Sequence, residues 1–338
     1  MAKIAFLFPG QGAQHVGMGQ DIYEAFGAAR VVFDQAQEIT GLPLKKLCFE
    51  GPEEELSRTD IAQPAIFTVS AAMLACMNSL LEPDKADALR PSHMAGLSLG
   101  EYTALFAAGT LTFADALKLV ARRGAAMQAA AVASPSSMVA VMGLDEDGAQ
   151  KLCQAAAGDG VLTCANFNAP GQIVLTGSIE SCKRAAEIAK DHGASGAIEL
   201  KVAGAFHSSF MKPAADELAK ALADTNFTSP GRPDFEDDSS SPPIVEWAQG
   251  FATEGVEIIA NVDAQPYGCM CQAPVRLLSQ LTGAVRWQQS MELLVAKGVE
   301  QFFEIGPGKV LKGLMRRIER KANVVTLNSQ NALEKLAD

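Results

Sequence analysis

The sequence has no CxxC pair, no excess of basic residues, no internal repeat, and no apolar run of the 18 or so residues that a membrane-spanning helix needs. Each absence excludes something. Seven cysteines stand at 48, 76, 153, 164, 182, 269 and 271. An odd number, without paired motifs and in a chain too long to need covalent staples, fits a reducing compartment. Cys269 and Cys271 form a C-x-C, but with no histidine or second pair beside them they do not supply four zinc ligands, and two packed or loop thiols are expected. Lys and Arg number 28 against 39 acidic residues, a net charge of −11. Nucleic acid and anionic membrane are therefore poor partners. The start, MAKIAFLFPG, enters an apolar strand with no basic leader or cleavage site, so a mature soluble chain is expected.

What is present is ordinary globular protein: 338 residues, 48% hydrophobic and 20% charged. At about 150 residues per domain this is two domains, or one large domain with an insertion. Lys3 to Phe8 reads as a strand that ends in the breaker cluster FPGQGAQ, and a helical stretch begins near Met18. Ser92 to Leu97 reads as a second strand, followed at once by a helical pattern in SLGEYTALFAAG. Thr112, with Asp115 three residues on, caps a helix running to about Ala131. From 138 to 202 the pattern becomes strand 138–143, helix 146–156, strands 161–166 and 172–176, helix 179–191 and strand 196–202. That βαββαβ order is the ferredoxin-like motif. Thr228 to Ser241, rich in Pro, Ser and acid, reads as a solvated loop. A last unit comprises strand 301–305, the turn GPG at 306–308, a helix to about Arg320 and strand 323–327.

Gly96-Leu97-Ser98-Leu99-Gly100 is a G-x-S-x-G between a predicted strand and helix, the setting a nucleophile elbow requires. The glycines let the backbone turn sharply with Ser98 at the apex, and the helix N-terminus offers amide donors to an oxyanion. A serine nucleophile needs a base, and only four histidines are available: 15, 93, 192 and 207. His207, in GAFHS where the inserted pattern returns to the main one, is the best placed. His192 ends an amphipathic helix, His93 enters the elbow strand, and His15 sits in the first glycine-rich loop. No Asp or Glu stands out as a third triad member. Gly10-Gln11-Gly12 begins like a dinucleotide fingerprint, but His15 occupies the third glycine position. Arg122 and Arg123 are about 100° apart on a helix, so at most one points at a given site.

Together and in order, GQGAQ, GLSLGEYTAL, RRGAAMQ, GAFHSSFM and EIGPGKVL resemble the malonyl-CoA:acyl carrier protein transacylase family of type II fatty-acid synthesis. The resemblance covers nearly the whole chain. It implies an α/β protein whose α/β-hydrolase-like catalytic core, residues 1–131 and 204–338, carries an inserted ferredoxin-like subdomain, residues 132–203. It also implies that Ser98 is malonylated and that His207 is its base. Gln280, in SQLTGAVRW, would orient His207 through a carbonyl, which accounts for the missing acid. Arg123 would pair with the malonyl carboxylate, with Gln11 and the Leu99 amide as oxyanion hole. Malonyl-CoA is then a substrate and acyl carrier protein the partner, with no metal or resident cofactor, and the chain is expected to be a monomer.

Leu97, where many bacterial members have histidine, and NVDAQP at 261–266 are similar to plastid and cyanobacterial members, which leads to an expected plastid stroma, with bacterial cytoplasm the alternative. Ser229 to Gly255 is longer than the family's usual connection and carries Asp234, Glu236, Asp237 and Asp238; a tolerated surface insertion is the simplest reading. The densest basic cluster follows the GPG turn. Lys312, Arg316 and Arg317 within it are candidates for docking the acidic carrier, against the plainer reading of a solvated basic helix. Two rival functions remain at this point: a serine esterase or thioesterase, and a non-catalytic carrier-binding module.

Overall fold

The computed structural model describes residues 2–231 and 249–338. Most of the 228–241 loop, including Asp234, Glu236, Asp237 and Asp238, lies outside the described residues. The strands are β1 (Lys3–Phe8), β2 (His93–Gly96), β3 (Ser137–Met142), β4 (Leu162–Ala169), β5 (Gln172–Gly177), β6 (Gly196–Glu199), β7 (Glu257–Ile259), β8 (Val299–Ile305) and β9 (Asn323–Leu327). They form a parallel sheet, β7-β2-β1-β8-β9, and an antiparallel one, β4-β5-β3-β6. The chain is thus mixed α/β.

β1 takes a central place because its run KIAFLF is apolar on both faces, as a strand covered on both sides must be. Phe6, Leu7 and Phe8 are wholly buried. The register Phe8↔Gly96 brings the elbow to the carboxyl end of the parallel sheet, beside the loop that carries Gln11. Ligands in open α/β sheets bind at that edge.

In the antiparallel sheet the helices Glu146–Ala157 and Ile179–Ile188 cover one face, their Leu152 and Cys182 sharing a buried cluster with Val139 and Leu175 of the strands. The elements follow one another in the order the sequence pattern reads, strand, helix, strand, strand, helix, strand. β4 also pairs outward: the Phe167 amide donates to the Val285 carbonyl at 2.9 Å and the Val285 amide to that of Ala165 at 2.8 Å. This edge therefore braces the segment just after Gln280.

Two expectations change. The helix Thr59–Leu80 is long and apolar enough to cross a membrane by length and composition, although no run of that kind was expected. Asp60, Gln63 and Asn78 break its apolar run, and 94% of its apolar window is buried by the rest of the fold, so it serves as the core helix. Cys269 and Cys271, expected as two thiols, are joined as a disulfide. An extended Cys269 places the two Cα atoms 5.2 Å apart, within bridging range.

The basic helix Val310–Ile318 is anchored from below. Glu304 at the end of β8 accepts from the Leu311 and Lys312 amides at 2.8 and 2.9 Å, an acid satisfying orphan donors at a helix N-terminus.

Candidate active site

Ser98 has φ 51°, the left-handed region that a β-carbon disfavours. Both flanking glycines are obligatory. A β-carbon on Gly96 would overlap the Gly100 carbonyl, and one on Gly100 would overlap that of Phe8. Strain of this kind costs about 1 to 3 kcal/mol and persists only when surroundings hold it. Here Asn261 and Gln280 do so. Asn261 Oδ1 accepts from the Ser98 amide at 2.6 Å, and its Nδ2 donates to the Gly96 carbonyl at 2.7 Å. Gln280 Nε2 donates to the Ser98 carbonyl at 2.8 Å.

His207, also at positive φ (58°), lies in the segment that joins β6 to the helix Lys212–Ala223 and is buried. Its Nε2 lies 2.9 Å from Ser98 Oγ and its Nδ1 lies 2.7 Å from the Gln280 carbonyl oxygen. A carbonyl only accepts, so Nδ1 carries the proton and Nε2 faces the serine as an acceptor. Burial, and then the positive charge of Arg123, push the His207 pKa down to about 4. The ring is neutral at pH 7. The other histidines lie elsewhere: His93, at the far end of β2, meets Ser92 Oγ at 2.8 Å and Glu257 at 3.3 Å, His15 meets the Ala13 carbonyl, and His192 is exposed.

The helix Phe113–Ala133 starts at the expected cap, with Thr112 Oγ1 accepting from the Asp115 amide. Of its two neighbouring arginines, Arg122 is exposed and Arg123 is 1% exposed. Arg123 Nη1 donates to Gln63 Oε1 at 2.7 Å, and Nη2 to Gln280 Oε1 and Ser98 Oγ, each at 2.9 Å. The Tyr102 ring lies 5.3 Å from Cζ. Nε has no partner, and among the described residues no carboxylate lies within ion-pair reach of this guanidinium. A buried cation held only by neutral oxygens is prepared for an anion.

Neither the Gln11 nor the Leu99 amide donates to an acceptor among the described residues, and both flank the elbow. Lys312, Arg316 and Arg317 are exposed on their helix, apart from this cluster; Arg317 Nη1 donates to Gln172 Oε1 at 3.1 Å.

Three residues escaped the sequence reading. Gln63 and Asn261 have the contacts above. Glu101, three residues after Ser98 and wholly buried, accepts from the Asn261 amide at 3.0 Å, from Gln280 Nε2 at 2.8 Å and from the Tyr267 hydroxyl. Burial pushes its pKa up to about 7, against the opposing pull of those donors and of Arg123. An acid inside the apolar helix pattern of GEYTALFAA was the only available signal.

Comparison with known proteins agrees with this geometry. Residues 5–243 match the acyl transferase domain family. Malonyl CoA-acyl carrier protein transacylase of Bacillus subtilis (strain 168) is 39% identical over 99% of this chain and 96% of its own. The Escherichia coli (strain K12) protein of the same name is 38% identical, over 98% of each. Among solved structures, the Coxiella burnetii transacylase superposes with TM-score 0.86 at 33% identity, over 99% of this chain and 96% of that one. A malonyl-transacylase solved in complex with its type II polyketide acyl-carrier protein gives TM-score 0.86 at 34% identity, over 99% of both chains. The relatives thus share not one motif but the whole length, from the Gln11 loop through the elbow to the basic helix, and the chain belongs to the malonyl CoA-acyl carrier protein transacylase family of acyl transferases.

Proposed function

We infer that this chain transfers the malonyl group of malonyl-CoA to the phosphopantetheine thiol of acyl carrier protein, through a malonyl ester on Ser98, in fatty-acid synthesis. One observation carries the acyl specificity: the buried guanidinium of Arg123, without a carboxylate partner among the described residues, 2.9 Å from Ser98 Oγ. A carboxylate one methylene beyond an acyl carbonyl on Ser98 falls within its reach, and a guanidinium binds carboxylate in a fork.

The steps follow from the hydrogen bonds. His207 Nε2 takes the Oγ proton as Ser98 attacks the thioester carbonyl, and the Gln280 carbonyl holds the resulting imidazolium through Nδ1. The Gln11 and Leu99 amides receive the oxyanion. Coenzyme A leaves with the proton from Nε2; the carrier thiol then repeats the sequence on malonyl-Ser98, and Ser98 recovers its proton. Substrates, side chains and backbone groups of this chain supply every group used here, with no resident cofactor in the scheme.

An esterase reading is less well supported. No carboxylate contacts His207 among the described residues, and Glu101 meets Gln280 instead. The malonylated protein, freed of malonyl-CoA and offered carrier protein in water, should load the carrier far faster than it releases malonate; release without loading would establish the hydrolase. Docking of the carrier on Lys312, Arg316 and Arg317 is supported by their exposure and by the carrier's acidity. We further propose the division into a core, 1–131 with 204–338, and an inserted unit, 132–203, acting as a monomer. The named relatives are bacterial and accord with a bacterial cytoplasm; Leu97 and NVDAQP are what support a plastid stroma.

A further inference from the structure

The proposed steps use the backbone carbonyl of Gln280 but neither its side chain nor Glu101. Both are wholly buried at the centre of the site. The Gln280 amide is saturated: Oε1 accepts from Arg123 Nη2 at 2.9 Å, and Nε2 donates to the Ser98 carbonyl and to Glu101 Oε2, each at 2.8 Å. An amide is asymmetric, with two donors at one end and acceptor lone pairs at the other. Turning it over would set its NH2 against the guanidinium and its oxygen against a carboxylate and a carbonyl. Glu101 makes that reversal most costly, because its Oε2 already accepts from the Asn261 amide at 3.0 Å and so has no proton to give a reversed amide oxygen.

The carboxylate is itself fixed by three donors from two segments, Tyr267 OH and the Asn261 amide on one and Gln280 Nε2 on the other. Its own backbone opens the helix behind Ser98. A direct ion pair would occupy Arg123 and compete with an incoming carboxylate. Placing the anion one amide away leaves the guanidinium oriented yet open.

We propose that Glu101 is a positioning residue for acyl selection: it locks the Gln280 side-chain amide so that Oε1 aims Arg123 at the acyl group on Ser98. Gln280 then has two separable roles, its backbone carbonyl serving His207 and its side chain serving Arg123. This inference rests on the reading of Arg123 as the carboxylate partner.

The test measures kcat/KM for malonyl-CoA and for acetyl-CoA with the full chain and three variants, Gln280→Leu, Glu101→Gln and the double substitution, each checked for native circular dichroism. Gln280→Leu keeps the carbonyl but removes the Nε2 bond to Ser98, so transfer of both acyl groups should fall; that common loss cancels in the malonyl-to-acetyl ratio, and the ratio itself should fall about tenfold or more for the loss of a bond to a charged group. Glu101→Gln allows the amide to reverse, and the ratio should fall in the same direction. The double variant should be no less selective than Gln280→Leu, because residues acting through one another are not additive. An unchanged ratio in Gln280→Leu overturns the proposal, as do additive losses in the double variant. Where Glu101→Gln is too unstable to assay, Gln280→Leu decides alone. Arg123→Ala separates the two levels: if it collapses the ratio and Gln280→Leu does not, only this inference fails, and if it leaves the ratio intact, the proposed acyl specificity fails first.

Discussion

Replacing Arg123 by alanine should turn a malonyl-selective protein into an indifferent one, and the structure sets the size of the effect. The guanidinium is buried and makes its hydrogen bonds to Gln63, Gln280 and Ser98, all neutral. A malonyl carboxylate arriving there forms a desolvated charged pair, whose loss costs about 2 to 5 kcal/mol. At about 1.4 kcal/mol per decade, kcat/KM for malonyl-CoA should fall roughly 30- to 4000-fold. The substitution also strands the Gln63 and Gln280 side-chain oxygens, a penalty of about 1 to 3 kcal/mol each. That damage does not depend on the acyl group, so acetyl-CoA serves as the internal reference. Rapid-quench intact mass of the acylated protein, with each thioester, gives both rates, and Arg122→Ala supplies an exposed control. Equal losses for malonyl and acetyl would refute carboxylate recognition and make Arg123 a purely structural cation.

Substituting His207 by alanine should slow Ser98 acylation by about a hundred- to ten-thousandfold, since a neutral serine is a poor nucleophile without its base; near-normal rates would point to another histidine. The low pKa of His207 has a direct readout. Its folded value, about 4, lies below the ordinary 6.5, so the unfolded chain binds the proton more readily, and this group's contribution to stability is lost as pH falls from 6.5 through 4. NMR of labelled histidine should show the ring neutral down to about pH 5, with Arg123→Ala moving the transition upward, whereas titration near 6.5 in the parent protein would contradict the buried, Arg123-facing placement. Reversing Lys312, Arg316 and Arg317 to glutamate should raise KM for the carrier and flatten its salt dependence while sparing acylation from malonyl-CoA. Losses in both half-reactions would instead assign the patch to coenzyme A or to stability.

Much of the site is legible in the sequence because its geometry is local. The elbow needs only a strand, two glycines and a helix start within ten residues, and Ser98 follows. His207 emerges by elimination among four histidines. Arg122 and Arg123 cannot be separated by periodicity, since both lie on a helix whose packing against the helix Thr59–Leu80 decides which one is buried. The polar frame is not legible at all. Glu101 meets Asn261 and Gln280, 160 and 179 positions away, and a single acid in a helix is ordinarily taken as a surface residue. The core helix Thr59–Leu80 shows the opposite failure. Its few polar residues conceal a long apolar element that only the tertiary fold covers.

The most direct measurement is intact-protein and peptide mass spectrometry after brief mixing with malonyl-CoA in the absence of carrier protein. A single malonyl adduct on the peptide containing Ser98, absent from Ser98→Ala of unchanged circular dichroism, is the result this mechanism requires. An adduct of the same yield in Ser98→Ala, or one located on another residue of the parent protein, would contradict it.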